Sequence, residues 1–73
     1  MDAATWTAKF ATALGVDAPS ESEVGALLSL ASVAANASER TAAPVACWLA
    51  ARAGQTPAEA LAAARALFST GPN

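Results

Sequence analysis

At 73 residues with a formal net charge of −2, the chain is long enough for one small domain, residues 1–73, and too short for two. Its basic residues, Lys9, Arg40, Arg52 and Arg65, are scattered, which excludes the clustered cationic face that nucleic acid or an anionic membrane requires. Hydrophobic residues make up 55% of the chain and are mostly alanine, which forms helix well but buries little area per residue, so a small core of marginal stability is expected.

Asp2 is placed to cap a first helix over about residues 3–14. Trp6, Phe10, Ala13 and Leu14 fall on one face at helical spacing, while Thr5, Lys9 and Thr12 lie off it. Gly15 suits the left-handed position that closes a helix. Pro19 disfavours helical geometry at Ala18, which makes residues 16–19 a turn.

Ser20-Glu21-Ser22-Glu23 reads as a capping box opening a second helix that runs to about Asn36. Val24, Leu27, Leu28, Ala31 and Ala35 form one apolar stripe. Leu30 and Val33 lie on nearly the opposite side, and only a narrow polar edge separates the two. A helix apolar on two sides is central in its domain or faces a partner.

Residues 36–43 form a connection, with Asn36 as the expected cap of the second helix. Pro44 belongs in the first turn of a third helix, where its missing N–H costs nothing; that helix extends to about Ala53, and Gly54 ends it. Val45, Trp48 and Leu49 make its stripe, Arg52 falls among them, and alanines with Cys47 fill the other faces. Almost no solvated face remains.

Thr56-Pro57-Ala58-Glu59 combines a capping threonine, a proline at the first helical position and a glutamate that completes the box. Leu61, Ala64, Leu67 and Phe68 are the apolar stripe of the fourth helix, and Gly71-Pro72-Asn73 stops it. No alternating β-branched run signals a strand. The fold expected is all-α, a compact bundle of four short helices near 3–14, 21–36, 44–53 and 57–69.

Catalysis is hard to build from these residues. The chain has no histidine and no tyrosine, and its single cysteine with scattered carboxylates offers no metal-ligand spacing. Cys47 lacks a base within sequence reach and reads as a small hydrophobe. Neither a metal nor a resident cofactor is expected. No apolar stretch approaches the roughly 20 residues that span a bilayer. The acidic start at Asp2 does not resemble a secretory signal, and one cysteine makes no internal disulfide; a reducing, cytoplasmic setting is expected.

Two arginines carry what binding signal there is. Arg40 precedes the third helix, where free N–H groups and the helix dipole favour anions; the alternative is a surface ion pair or a loop-closing hydrogen bond. Arg52 follows Trp48 by one turn and either lays its stem on the indole or anchors a partner, since Arg and Trp are enriched at binding hot spots. Trp6 and Phe10 read as core. The broader signal is collective: Leu30, Val33 and the stripe of the third helix exceed what three short neighbours cover, and such patches mark partner sites.

The pattern resembles a small actinobacterial family, the domain of unknown function 6457. The resemblance rests on Trp6, Leu14-Gly15, Leu27-Leu28, Ala35-Asn36, Arg40-Thr41-Ala42-Ala43-Pro44, Trp48-Leu49 and Ala53-Gly54, and covers most of residues 6 to 68. Asn36 stands where the family has histidine, and Thr41 where it has proline. Members often occur fused to, or encoded beside, molybdenum cofactor guanylyltransferase and near formate dehydrogenase genes. The resemblance therefore implies a link to molybdenum enzymes, as a small subunit or a maturation accessory with a larger protein partner. A homo-oligomer is a further outcome. The second reading is a domain that holds an anionic pterin or nucleotide at Arg40 and the start of the third helix.

Overall fold

The computed structural model describes residues 1–69. The chain is an all-α bundle of four short helices: α1 (Ala3–Leu14), α2 (Glu21–Ala37), α3 (Ala42–Arg52) and α4 (Pro57–Ser69). The side chain of Phe68 and the expected stop at Gly71-Pro72-Asn73 lie outside the described residues.

Local chemistry sets the helix ends. Asp2 accepts a 2.8 Å hydrogen bond from the Thr5 N–H and so caps α1. Gly15 closes the same helix at φ 76°, with its N–H donating to Thr12 and that of Val16 donating back to Ala11. The two capping boxes are near copies. Glu23 N–H donates to Ser20 Oγ at 3.1 Å and Ser20 N–H to Glu23 Oε1 at 2.8 Å. The Thr56–Glu59 pair repeats both bonds at 3.1 and 2.8 Å. Each box satisfies two N–H groups that a helix start otherwise leaves without partners.

Three boundaries differ from the sequence expectation, the smallest being the end of α3 at Arg52 rather than Ala53. The helix α2 continues past Asn36, whose side-chain amide donates to Ser32 Oγ one turn back, and ends at Ala37. The helix α3 starts two residues before Pro44, because the N–H groups of Ala42 and Ala43 find the Glu39 and Arg40 carbonyls at 2.9 and 3.1 Å. Pro44 still falls in the first turn, where it removes no intrahelical bond.

Helix α2 is the centre of the packing. Both α3 and α4 pack against it, while α3 and α4 approach one another much less. The starts of α2 and α4 lie side by side around Ser20, Glu23, Thr56 and Pro57. Their later turns also lie together, across Ala34 and Ala64. The two therefore run in the same direction, and α3, joined to each by a connection of a few residues, runs back along α2. Among the described residues, those buried are Leu30 on α2, Ala60 on α4 and Ala11, which lies beneath the Gly15–Val16 turn. Leu30, expected on the partner side of α2, is thus core. Alanines at positions 60 and 64 let α4 come close to α2, and the residue that fills that approach is Leu30.

Helix α1 stands apart. Among the described residues, none of its Cα atoms comes within 8 Å of a Cα in another helix. Trp6 and Phe10, expected in the core, are both exposed and stack on each other with centroids 5.0 Å apart. The molecule is elongated, 44 × 23 × 18 Å.

Candidate functional site

Exposed apolar surface is concentrated on three elements. On α3, Val45, Trp48 and Leu49 are all exposed. Trp48 is 59% accessible, and the Arg52 guanidinium lies 5.0 Å from the centroid of its ring. The α-helical repeat brings residues four apart to one face, so the guanidinium covers the indole from one turn further on. This contact orders two long side chains on an open face. Ordering them in advance reduces what a partner loses in side-chain freedom on binding.

A second surface lies between α3 and α4. Because both pack on α2 but stand away from each other, they leave an open trough. Leu30 is its floor, Ala46 and Leu49 form one wall, and Ala60 and Ala64 form the other. Two adjoining depressions of about 290 and 300 Å³ make up its length. Val45 lies at its rim, and polar residues, Ser38 and Gln55, appear only toward its ends. Trp48 and Arg52 do not line it. At about 100° per residue, Trp48 lies roughly 120° around α3 from Ala42, on the flank of the trough.

The third surface is α1, whose Trp6, Phe10 and Leu14 are exposed together. Leu28 and Val24 add exposed apolar area on the outer side of α2. The other members of that sequence stripe, Leu27, Ala31 and Ala35, are half-buried.

Of the residues singled out from sequence, Trp48 and Arg52 are brought together on one exposed face. Val33 is half-buried on α2, and Leu30 is enclosed by its own chain. Arg40 is exposed in the turn before α3. The helix start beside it is poorly furnished for an anion. The N–H groups of Ala42 and Ala43 already donate to backbone carbonyls, and Pro44 has none to offer. Cys47 is half-buried, its thiol 4.0 Å from the Leu27 carbonyl where α3 meets α2. Among the described residues, no three His, Cys, Asp or Glu side chains cluster as a metal site would need, and no helix is long and apolar enough to cross a membrane. The trough itself was not evident from sequence, since nothing in the alanine pattern says that α3 and α4 splay apart.

Neither the curated proteins nor the solved structures contain a match to this chain. The family model for a domain of unknown function, DUF6457, matches residues 1–71, and the chain belongs to that family.

Proposed function

We propose that this chain is a non-catalytic helical domain that binds a protein partner in the molybdenum-cofactor enzyme system. The observation that carries the reading is the outer face of α3. There Trp48 stands 59% accessible with Arg52 held over its ring. Tryptophan and arginine are enriched among the residues that dominate binding energy at interfaces. The absence of histidine and tyrosine from the sequence supports a role without chemistry of its own.

The cellular context comes from the family resemblance. It favours a cytoplasmic accessory of molybdenum-cofactor maturation, or a small subunit of a molybdenum enzyme with formate dehydrogenase as the candidate. The competing reading, an anionic cofactor at Arg40, is not favoured, because the first N–H groups of α3 are already bonded to its own backbone.

The test is calorimetric titration of the domain into purified molybdenum cofactor guanylyltransferase and, separately, formate dehydrogenase. A stoichiometric complex with one of them is expected. Trp48→Ala should weaken it at least tenfold, whereas Arg40→Ala should not. Absence of binding to both proteins would overturn the molybdenum assignment. Equal binding by wild type and Trp48→Ala would overturn the assigned face.

A further inference from the structure

We infer that the chain forms a two-fold homodimer in which α1 of each copy lies in the α3–α4 trough of the other. This inference uses surfaces other than Trp48 and Arg52, so its failure leaves the partner reading standing, and the reverse also holds.

The first support is area. The accessible surface is 5472 Å² for a 7.2 kDa chain. A folded monomer of that mass exposes about 4,100 Å². The excess, about 1,400 Å² per chain, amounts to about 2,700 Å² for two copies, within the range of obligate homodimers. A structure that leaves this much surface open is short of one packing layer.

The second support is complementarity between two parts of the same chain. The trough is lined by Leu30 and by small side chains, Ala46, Ala60 and Ala64, with Val45 and Leu49 on the α3 side. Helix α1 presents a ridge of large ones, Trp6 stacked on Phe10 with Leu14 a turn further. Large side chains set against small ones are how facing helix layers interdigitate. The lengths also agree. The trough follows α3 from Ala42 to Ala53, about 17 Å at the helical rise, and a helix of 12 residues such as α1 is about 18 Å long. Laid in the trough, α1 would supply the fourth helix around a core that otherwise contains three.

The third support is the joint that holds α1 away from its own trough. Gly15 takes the left-handed conformation at φ 76°, and its N–H and that of Val16 bond back into α1. Ser20, five residues on, is extended at φ −74° and ψ 166° and is tied into the α2 capping box. Pro19 stiffens the segment between these two anchored ends. A short hinge invites exchange of an element between copies, because folding back over it is strained. Exchange is reciprocal, so the two-fold symmetry closes and buries both aromatic ridges and both troughs at once.

The experiment is size exclusion with light scattering on the full chain across a dilution series, using three variants. Wild type should run at twice the chain mass. The double variant Trp6→Ala/Phe10→Ala should run as a monomer, with self-affinity reduced more than tenfold and a cooperative unfolding transition retained by α2, α3 and α4, because α1 packs on no other helix of its own chain. Any loss of helix signal should be limited to α1, which is marginal without packing. Phe10→Asp, which spoils the ridge, and Leu49→Asp, which spoils the trough, should each be monomeric. Mixed in equal amounts, those two should form a heterodimer, since one intact ridge then meets one intact trough. A monomeric wild type would overturn the inference, including the case in which exchange protection of α1 shows it closed on its own trough. A dimer that survives Trp6→Ala/Phe10→Ala, or failure of the two spoiled variants to complement, would also overturn it.

Discussion

Leu28 and Leu30 are two residues apart on α2 and face opposite ways, one 66% accessible and the other 4%. That contrast yields a paired prediction. Leu30→Ala removes the floor between α3 and α4 and should cost about 2 kcal/mol, less than a fully enclosed leucine because the site borders an open trough. Leu28→Ala should change stability by less than about 0.5 kcal/mol, as surface substitutions do. Urea unfolding followed by circular dichroism gives both values. Equal costs at the two positions would mean that α2 is rotated from the orientation described.

The same pair shows where sequence reasoning succeeds and stops. All four helices were legible because their ends carry explicit chemistry: Asp2, Ser20 with Glu23, Thr56 with Glu59, and the glycines at 15 and 54. The rotation of α2 was not legible, since both of its sides are apolar and period alone does not say which meets a neighbour. Small residues on α4 decide it, and their effect depends on packing rather than on pattern. Likewise the Trp6–Phe10 stripe predicted a buried face, but a stripe does not specify whose surface buries it. At the candidate site, Trp48 and Arg52 were legible from their spacing of four, whereas the trough depends on the angle between α3 and α4.

Two glycines should respond to the same substitution with opposite signs. Gly54 sits at φ 74°, where an L side chain is strained, so Gly54→Ala should destabilise by about 1 kcal/mol. Gly25 lies inside α2, and a Cβ added there meets nothing within 4 Å. Gly25→Ala should therefore stabilise by about 0.5–1 kcal/mol through helix propensity. Thermal unfolding of the two variants against wild type checks both signs, and a rise in Tm for Gly54→Ala would contradict the left-handed cap.

The cap of α1 should be sensitive to acid. Hydrogen bonds from the Thr5 side chain and backbone hold the Asp2 carboxyl below its ordinary value of 3.8. A group depressed in the folded state stabilises fully above its unfolded value, and that contribution is lost as pH falls through the folded one. The first turn of α1 should therefore stay intact at pH 5 and fray only below about pH 4. The Thr5 amide resonance, followed by NMR, should titrate with a midpoint under 3.8. A midpoint at or above that value would show that the cap does not form.

Capping residues away from the apolar faces should affect stability without affecting association. Ser20→Ala removes the acceptor for the Glu23 N–H and should cost about 1 kcal/mol. Affinity for a partner, measured where the variant remains folded, should equal that of wild type. A parallel loss of affinity would place the partner at the α2–α4 ends rather than on α3.

The central claim is that the outer face of α3 binds a protein partner, and Trp48 reports on it directly. In a Trp6→Phe background, Trp48 is the only tryptophan, and its emission should be that of a largely solvated indole. Titration with molybdenum cofactor guanylyltransferase or formate dehydrogenase should shift that emission to the blue, saturably. Arg52→Ala should weaken the response by less than Trp48→Ala weakens binding in calorimetry. Emission that stays unshifted while a complex forms would contradict the assigned face, and emission unshifted with no complex to either protein would contradict the proposed function.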